Sequence, residues 1–494
     1  MRIVARKTCR PLLCVALALS LALPAGAIEE IDHLIIVAQK APTLEKNLRA
    51  LTDEVGGRVP GTPNMEQAFR WALAAFKDAG ADSVTTEEFT MPVGWSEGAT
   101  RVEVTAPTRF TVRSVSVAWS PPIAQTLHAR VADVGEGTAA DFAKAGDLMG
   151  AIVLVHSKVL RSWEDLFAEY SDAPPVIAAA KQANAAAIAW TSTREHDILY
   201  RHINSQDGEV DVIPQVLLAR EDALRIQRLI AGGAPVEMEI TLPNRIGDTF
   251  RSANIVAEVK GREKPEEYVV LGAHLDSWEL GTGALDNGCN SALVIEALRA
   301  IKASGLRPRR SIRFVLFSGE EQGMLGSRAF VQQHRAEMDN VVANITFDEG
   351  TGHATGFSLG GRKDIDAKVR AMMAPFAKWG IAKNTTDAFV GTDNLDFLLE
   401  GVPTLVANQV EANYLENYHA ASDTFDKVDI PQLKKHVALA AAMAFAIAND
   451  PQRLGKRQSR AEVEKLLHDT KLDKQLKLFG LWTDWESGKR GREK

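Results

Sequence analysis

Cysteine is nearly absent from this 494-residue chain: there are three, Cys9, Cys14 and Cys289. The first two lie in a segment that reads as a leader. Arg2, Arg6, Lys7 and Arg10 form a basic n-region, residues 11–23 an apolar stretch too short to span a membrane as a mature helix, and Ala25-Gly26-Ala27 a small-residue cleavage site. Pro11 stands where a lipoprotein signal usually has leucine, three residues before Cys14, which argues against lipidation. Cleavage after Ala27 leaves Cys289 alone, and an intramolecular disulfide framework is excluded even though the destination is oxidising. Positive charge is also in deficit, with 57 Lys and Arg against 64 Asp and Glu. Losing four positive charges and no acids with the leader takes the net charge from −7 to −11. A mildly acidic surface gives no reason to expect a nucleic-acid partner. The expectation is an exported protein, periplasmic or extracellular, with no membrane association once the signal is cut at residue 27.

What is present divides into blocks. Residues 28–91 read as helical: Leu44, Leu48 and Leu51 recur at helical spacing, GGRVPGTPN is a turn cluster, and a second helix over 65–79 is ended by Gly80. Residues 92–245 change to short strands (151–156, 186–191, 212–217) with helices over 175–185 and 221–230, and nothing there repeats at a fixed period. His128, His156, His196 and His202 are scattered through it without metal-ligand spacing. This block reads as an inserted smaller domain. From 246 to 450 strand and helix alternate, with strands at 254–259, 268–272, 312–317, 341–347 and 402–407 and an Ala-rich helix from Ile430. Such alternation predicts an α/β fold, a mostly parallel central sheet flanked by helices. The charged tail, 451–494, is expected to be a surface helix followed by a frayed end.

The chemistry gathers where these strands end. The apolar run before His274 breaks at that residue, which places His274 at the carboxyl rim, where open α/β sheets bind ligands. Asp276, two residues on, is placed to orient the His274 imidazole. A loop containing Gly281 and Gly283 then delivers Asp286. The next strands end in Glu320-Glu321 and Asp348-Glu349, and Tyr418-His419 follows the last. A Glu pair after a strand is ordinarily a favourable helix start, and a lone loop histidine is ordinarily solvated. Their joint placement on one edge is what points to a site. Two imidazoles and three carboxylates suit two divalent metals, each with one His, one terminal carboxylate and a shared bridging carboxylate, and zinc accepts that donor set. Adjacent Glu320 and Glu321 allow one to ligate while the other acts as general base.

The motifs GAHLDSW, GTGALDNG, LRPRRSIRFVLFSGEEQGMLGS, GTDNLDF, GVP and YHAASDTFD, with EVGGRVPGTPN near residue 54, resemble the zinc-dependent exopeptidases with two co-catalytic metals. Bacterial leucyl aminopeptidases and plasma glutamate carboxypeptidase belong to that family, and the likeness is to its carboxypeptidase Q branch. The resemblance implies a phosphorylase/hydrolase-like exopeptidase fold with a protease-associated-like insert, two Zn2+ per subunit, small peptide substrates and a homodimer. It implies His274 and Asp348 on one zinc, Glu321 and His419 on the other, Asp286 bridging, Glu320 as catalytic base and Asp276 orienting His274. It also implies a cis peptide after Asp286. Asn287 and Cys289 replace an Asp and a Gly common in that branch; Cys289 reads as a small buried residue rather than a reactive thiolate. For the substrate terminus, Glu349, Asp393 and Asp396 are candidates to hold an ammonium, and Arg362 and Lys363 a carboxylate. Tyr414 and Tyr418 are candidates for an oxyanion donor or for packing. Three alternatives stay open: an aminopeptidase acting on longer peptides, a single-zinc glutaminyl cyclase, and a non-catalytic receptor-like binding protein.

Overall fold

The computed structural model describes residues 25–205 and 207–493. The leader inferred over 1–27 lies outside them apart from Ala25–Ala27, which open the first helix, Ala25–Ala38. Among the described residues no helix is long and apolar enough to cross a membrane.

Among the described residues, seven strands form the main sheet, in the order Ser83–Met91, Phe250–Val259, Arg310–Phe317, Lys264–His274, Val341–Thr346, Thr404–Gln409, Ala354–Ser358. The four from Arg310–Phe317 to Thr404–Gln409 run parallel, and antiparallel strands complete both sides. In the strand Lys264–His274 every residue from Tyr268 on is buried, as a strand covered on both faces requires. Val269, Leu271 and Ala273 face the helices Cys289–Ala303 and Ile430–Asn449 and the N-terminal helices. Tyr268 and Val270 face Phe330, Val331 and Phe397 on the other side. The run LAAAMAFAIA lies within the helix Ile430–Asn449, whose small residues allow close packing on Cys289–Ala303.

A second sheet of eight strands among the described residues is built from residues 101–241, with its own apolar core. Its strands Leu127–Asp133, Ile152–Val155, Ala187–Thr191 and Gln215–Leu218 are parallel.

Four expectations are corrected. Residues 28–91 are not purely helical: Ser83–Met91 is an edge strand of the main sheet, antiparallel to Phe250–Val259. Ala354–Ser358 is likewise an unexpected edge strand. In the insert, the helix expected over 175–185 begins at Trp163, capped by Ser162, and carries Pro174 and Pro175 in its interior. The proline pair imitated a helix start. The tail is not frayed. It folds into helices Arg460–Thr470, Leu472–Leu478 and Trp482–Ser487, the first with a Ser459–Glu462 capping box. Val463, Leu467, Leu472, Leu476 and Trp485 bury against Leu395, Leu398 and Leu399. Arg490 closes this contact with two hydrogen bonds, of 2.8 and 2.7 Å, to buried Asp396.

Removing one partner of a buried ion pair leaves an uncompensated charge. Arg490→Ala should therefore cost about 3–5 kcal/mol of stability, and denaturant unfolding checks it. Arg490→Met combined with Asp396→Leu should recover part of that loss.

Candidate metal centre

His274 ends its strand at the carboxyl rim and is 1% exposed. The loop after it is held from two sides. Arg58, in the GGRVPGTPN segment, is fully buried and donates from Nε to the Leu275 carbonyl (2.5 Å), from Nη1 to Thr282 (2.8 Å) and from Nη2 to Gly283 (2.9 Å). The same segment touches the loop so closely that a Cβ on Gly57 would lie 2.4 Å from the Glu279 Cα. Gly283 has φ +59° and a Cβ there would meet Ser277 at 2.3 Å, so glycine is required twice over. From the other side the Asp423 carboxylate accepts hydrogen bonds from the main-chain N–H groups of Ala284 (3.1 Å), Leu285 (2.7 Å) and Asp286 (3.1 Å). The Asp286–Asn287 peptide is cis. Asn287 Nδ2 donates to Asp348 Oδ1 at 2.7 Å. Cys289 is buried, its Sγ 3.4 Å from the Leu285 carbonyl, and burial pushes its thiol pKa well up, the opposite of a reactive thiolate.

The six predicted residues converge. His274 Nε2 lies 2.9 Å from Asp348 Oδ1, 3.2 Å from Asp286 Oδ1 and 4.0 Å from Glu320 Oε2. His419 Nε2 lies 2.8 Å from Glu321 Oε2 and 3.3 Å from Asp286 Oδ2. Asp286 thus turns one oxygen to each imidazole. Asp276 differs from expectation in how it acts. Its main-chain carbonyl, 3.0 Å away, accepts from His274 Nδ1, while its carboxylate sits 3.7 Å from that nitrogen. The carboxylate instead accepts from the N–H groups of Glu320 (3.3 Å) and Glu321 (3.4 Å). One residue therefore orients both a histidine and the Glu pair.

Burial pushes Glu320 well above the carboxylate range, Glu321 up to about 7, and Asp348 upward. Burial also disfavours charge on the imidazoles, but the surrounding acids outweigh it. Asp348 leads in pushing His274 well up, and Glu321 leads in pushing His419 up to about 9. For Asp286, desolvation is overcome by the two imidazoles, which hold its pKa low. So many buried acids on two imidazoles call for added positive charge. Asp286 Oδ2 and Glu321 Oε1 are buried without a hydrogen-bond partner. His274, Glu320 and Asp348 offer ligand atoms within 4.8 Å of one another, as do His274, Asp286 and Glu321. His419, in contact with Glu321, extends the second group. This nitrogen and oxygen donor set fits divalent zinc.

The centre opens into a cleft of about 480 Å³. One wall is the inserted domain's helix, through Trp163, Leu166, Phe167 and Tyr170. None of these four was singled out from sequence, because the first half of their helix was not recognised. Of the specificity candidates only Glu349 lines the cleft; it is pushed up to about 8 by burial and by Asp348, and its Oε2 has no partner. Asp393 is fully buried beside the cleft, and burial pushes it up to about 8. Asp396 is committed to Arg490, and Arg362 to Asp364 and to the carbonyls of Gly401 and Lys456. Lys363 is exposed elsewhere, whereas Lys383, unforeseen, lines the cleft. Tyr414 and Tyr418 both line it; Tyr418 stacks on His419 with 3.7 Å between ring centres.

Paired histidines and clustered acids at the carboxyl rim of a parallel sheet define a metallohydrolase. Comparison with known proteins narrows the class to a metallopeptidase. Residues 254–444 match Peptidase family M28. Carboxypeptidase Q from Rattus norvegicus is 28% identical over 417 residues, covering 83% of this chain and 86% of the relative. The Homo sapiens protein is 27% identical over 414 residues, covering 83% and 86%. The solved Peptidase M28 precursor from Shewanella amazonensis SB2B superimposes with a TM-score of 0.80 at 28% identity, covering 88% of this chain and 100% of that one. A zinc aminopeptidase from Bacillus subtilis shares the fold, with a TM-score of 0.66 at 20% identity over 85% of this chain and 98% of that one. Residues 254–444 thus carry the match to Peptidase family M28, and the chain as a whole is similar to carboxypeptidase Q and to a solved M28 peptidase over more than four fifths of its length.

Asp423→Ala would strip three buried N–H groups of their acceptor. It should lower stability by about 3 kcal/mol or more, at about 1–3 kcal/mol per unsatisfied group, and thermal unfolding of the metal-free protein reads this directly.

Proposed function

We propose that the protein is a two-zinc exopeptidase that hydrolyses short peptides, dipeptides foremost, after export from the cytoplasm. The observation that carries this reading is Asp286, with one carboxylate oxygen turned to each of two imidazoles and a further acid beside each imidazole. On it, His274 and Asp348 would hold one ion and Glu321 and His419 the other, with Asp286 available to both. Zinc held there would supply Lewis acidity and would make water nucleophilic near neutral pH. Glu320 stands 4.0 Å from His274 and outside the close contacts. It takes the proton from the attacking water and passes it to the leaving nitrogen. Asp276, gripping the Glu320 and Glu321 amides, keeps base and ligand in register.

The cleft supports the substrate class. Its volume suits a ligand of drug-like size, which for a peptide means two or three residues. Glu349 and Lys383 line the same cleft, a carboxyl that can hydrogen-bond the amino end of a dipeptide and a cation for its carboxylate end. The basic, apolar and small-residue succession before residue 28 supports export.

Metal analysis should give two zinc ions per chain, and a chelator should abolish hydrolysis of dipeptides. Glu320→Gln should lower kcat by about 10²- to 10⁴-fold while metal content stays at the wild-type level. Full activity in that variant would remove Glu320 as base, and a ratio of one zinc per chain would favour the glutaminyl cyclase reading. Mass spectrometry of a digested peptide mixture separates the remaining alternatives. Progressive N-terminal shortening of long peptides, with dipeptides spared, would replace the dipeptidase reading by an aminopeptidase.

A further inference from the structure

The inserted domain does more to the centre than wall its cleft. The two histidines are positioned by different parts of the chain. His274 Nδ1 meets the carbonyl of Asp276, two residues away on its own loop. His419 Nδ1 meets the carbonyl of Arg201, in the inserted domain, at 3.0 Å. The contact is reciprocal, because the Arg201 N–H donates to the His419 carbonyl at 2.9 Å. A histidine whose Nδ1–H is committed to a carbonyl presents Nε2 as the ligand atom, and here Nε2 faces Glu321 and Asp286. His419 also has φ +57°, a conformation unfavourable for a residue with a Cβ that neighbours must hold in place. Its neighbours in sequence are gripped from the same side. Arg194 Nη2 donates to the Tyr418 carbonyl (3.0 Å), Ala421 N–H to the Leu199 carbonyl (3.0 Å), and Tyr170 and Tyr418 share a hydroxyl hydrogen bond of 3.0 Å.

The side chain of Arg201 secures this strand of contacts. It is 1% exposed. Its guanidinium donates to Glu97 (2.5 Å), to Glu279 (2.5 and 3.1 Å) and to the Ser116 carbonyl. Glu279 lies on the loop between His274 and Asp286, so one buried cation ties the insert to both the His274 loop and the His419 segment. Trp95 lies against the same guanidinium, 5.3 Å from its ring centre.

We propose that Arg201 is a positioning residue for the His419 side of the centre, and that the inserted domain thereby sets how tightly the ion held by Glu321 and His419 is retained. The ion on the His274 side depends on it less, because His274 is oriented by the Asp276 carbonyl on its own loop. This inference rests on the two-metal reading.

The test is zinc binding by the full chain, measured by chelator competition without reference to turnover. Wild type should show two stepwise affinities. A wild-type ratio of one refutes the two-metal reading itself, before any variant is compared. Arg201→Met and Glu279→Gln should each weaken one step by about 10- to 100-fold and leave the other within about threefold. The weakened step should be the one lost in His419→Ala and retained in His274→Ala. Thermal unfolding of the metal-free forms separates positioning from folding: if Arg201→Met lowers the metal-free Tm strongly, Glu279→Gln, outside the insert, decides. Two unchanged affinities, or equal loss at both steps, overturns the proposal.

Discussion

The structure depends on the cost of crowding acids away from water. Asp286, Glu320, Glu321 and Asp348 surround two imidazoles, and burial drives most of their pKa values upward. Such a cluster persists only where main-chain donors, imidazoles and metal share the charge. The scaffold supplies these one residue at a time. Asp423 collects three amides of the loop that carries Asp286, Asp276 collects two amides of the Glu pair, and Arg58 fastens three carbonyls of the same loop. Arg58 is itself buried deeply enough that desolvation lowers its pKa to about 10 despite four nearby acids.

The fold explains why these groups meet. Parallel strands deliver their carboxyl ends to one edge, and burial of both sheet faces fixes which residue is last out. The strand Lys264–His274 illustrates it. Tyr268 and Val270 pack one way, Val269, Leu271 and Ala273 the other, so a slip by one residue would exchange two cores. The inserted domain stands over this edge and contributes both a cleft wall and main-chain contacts to His419. One helix and one loop of the insert thus reach both the cleft and His419.

Much of the site was legible because its residues fall at breaks in apolar periodicity, a purely local signal. His274 ends a buried strand, Glu320, Glu321 and Asp348 each follow one, and their motifs resemble those of a family whose relatives cover most of the chain. The supporting residues were not legible in the same way. Arg58 reads as one letter of a turn, Asp423 as one letter after His419, and Arg201 as nothing at all. Ser83–Met91 has the β-branched content of a strand, but its partner is more than 150 residues away. The tail looked polar because its apolar residues are spread over three short helices and bury against a separate cluster that includes Leu395, Leu398 and Leu399.

By itself the sequence determined the alternation of strand and helix, the edge on which chemistry collects, and which ionisable side chains gather there, since each follows from nearest-neighbour pattern and side-chain type. Tertiary structure alone decided that Asp286 faces both imidazoles, that Asp276 acts on one of them through its carbonyl, and that Arg201 of a separate domain holds the other. Those relations are distances between atoms far apart in the chain. Such distances exist only once two cores have packed and brought the loops between them to within hydrogen-bonding range.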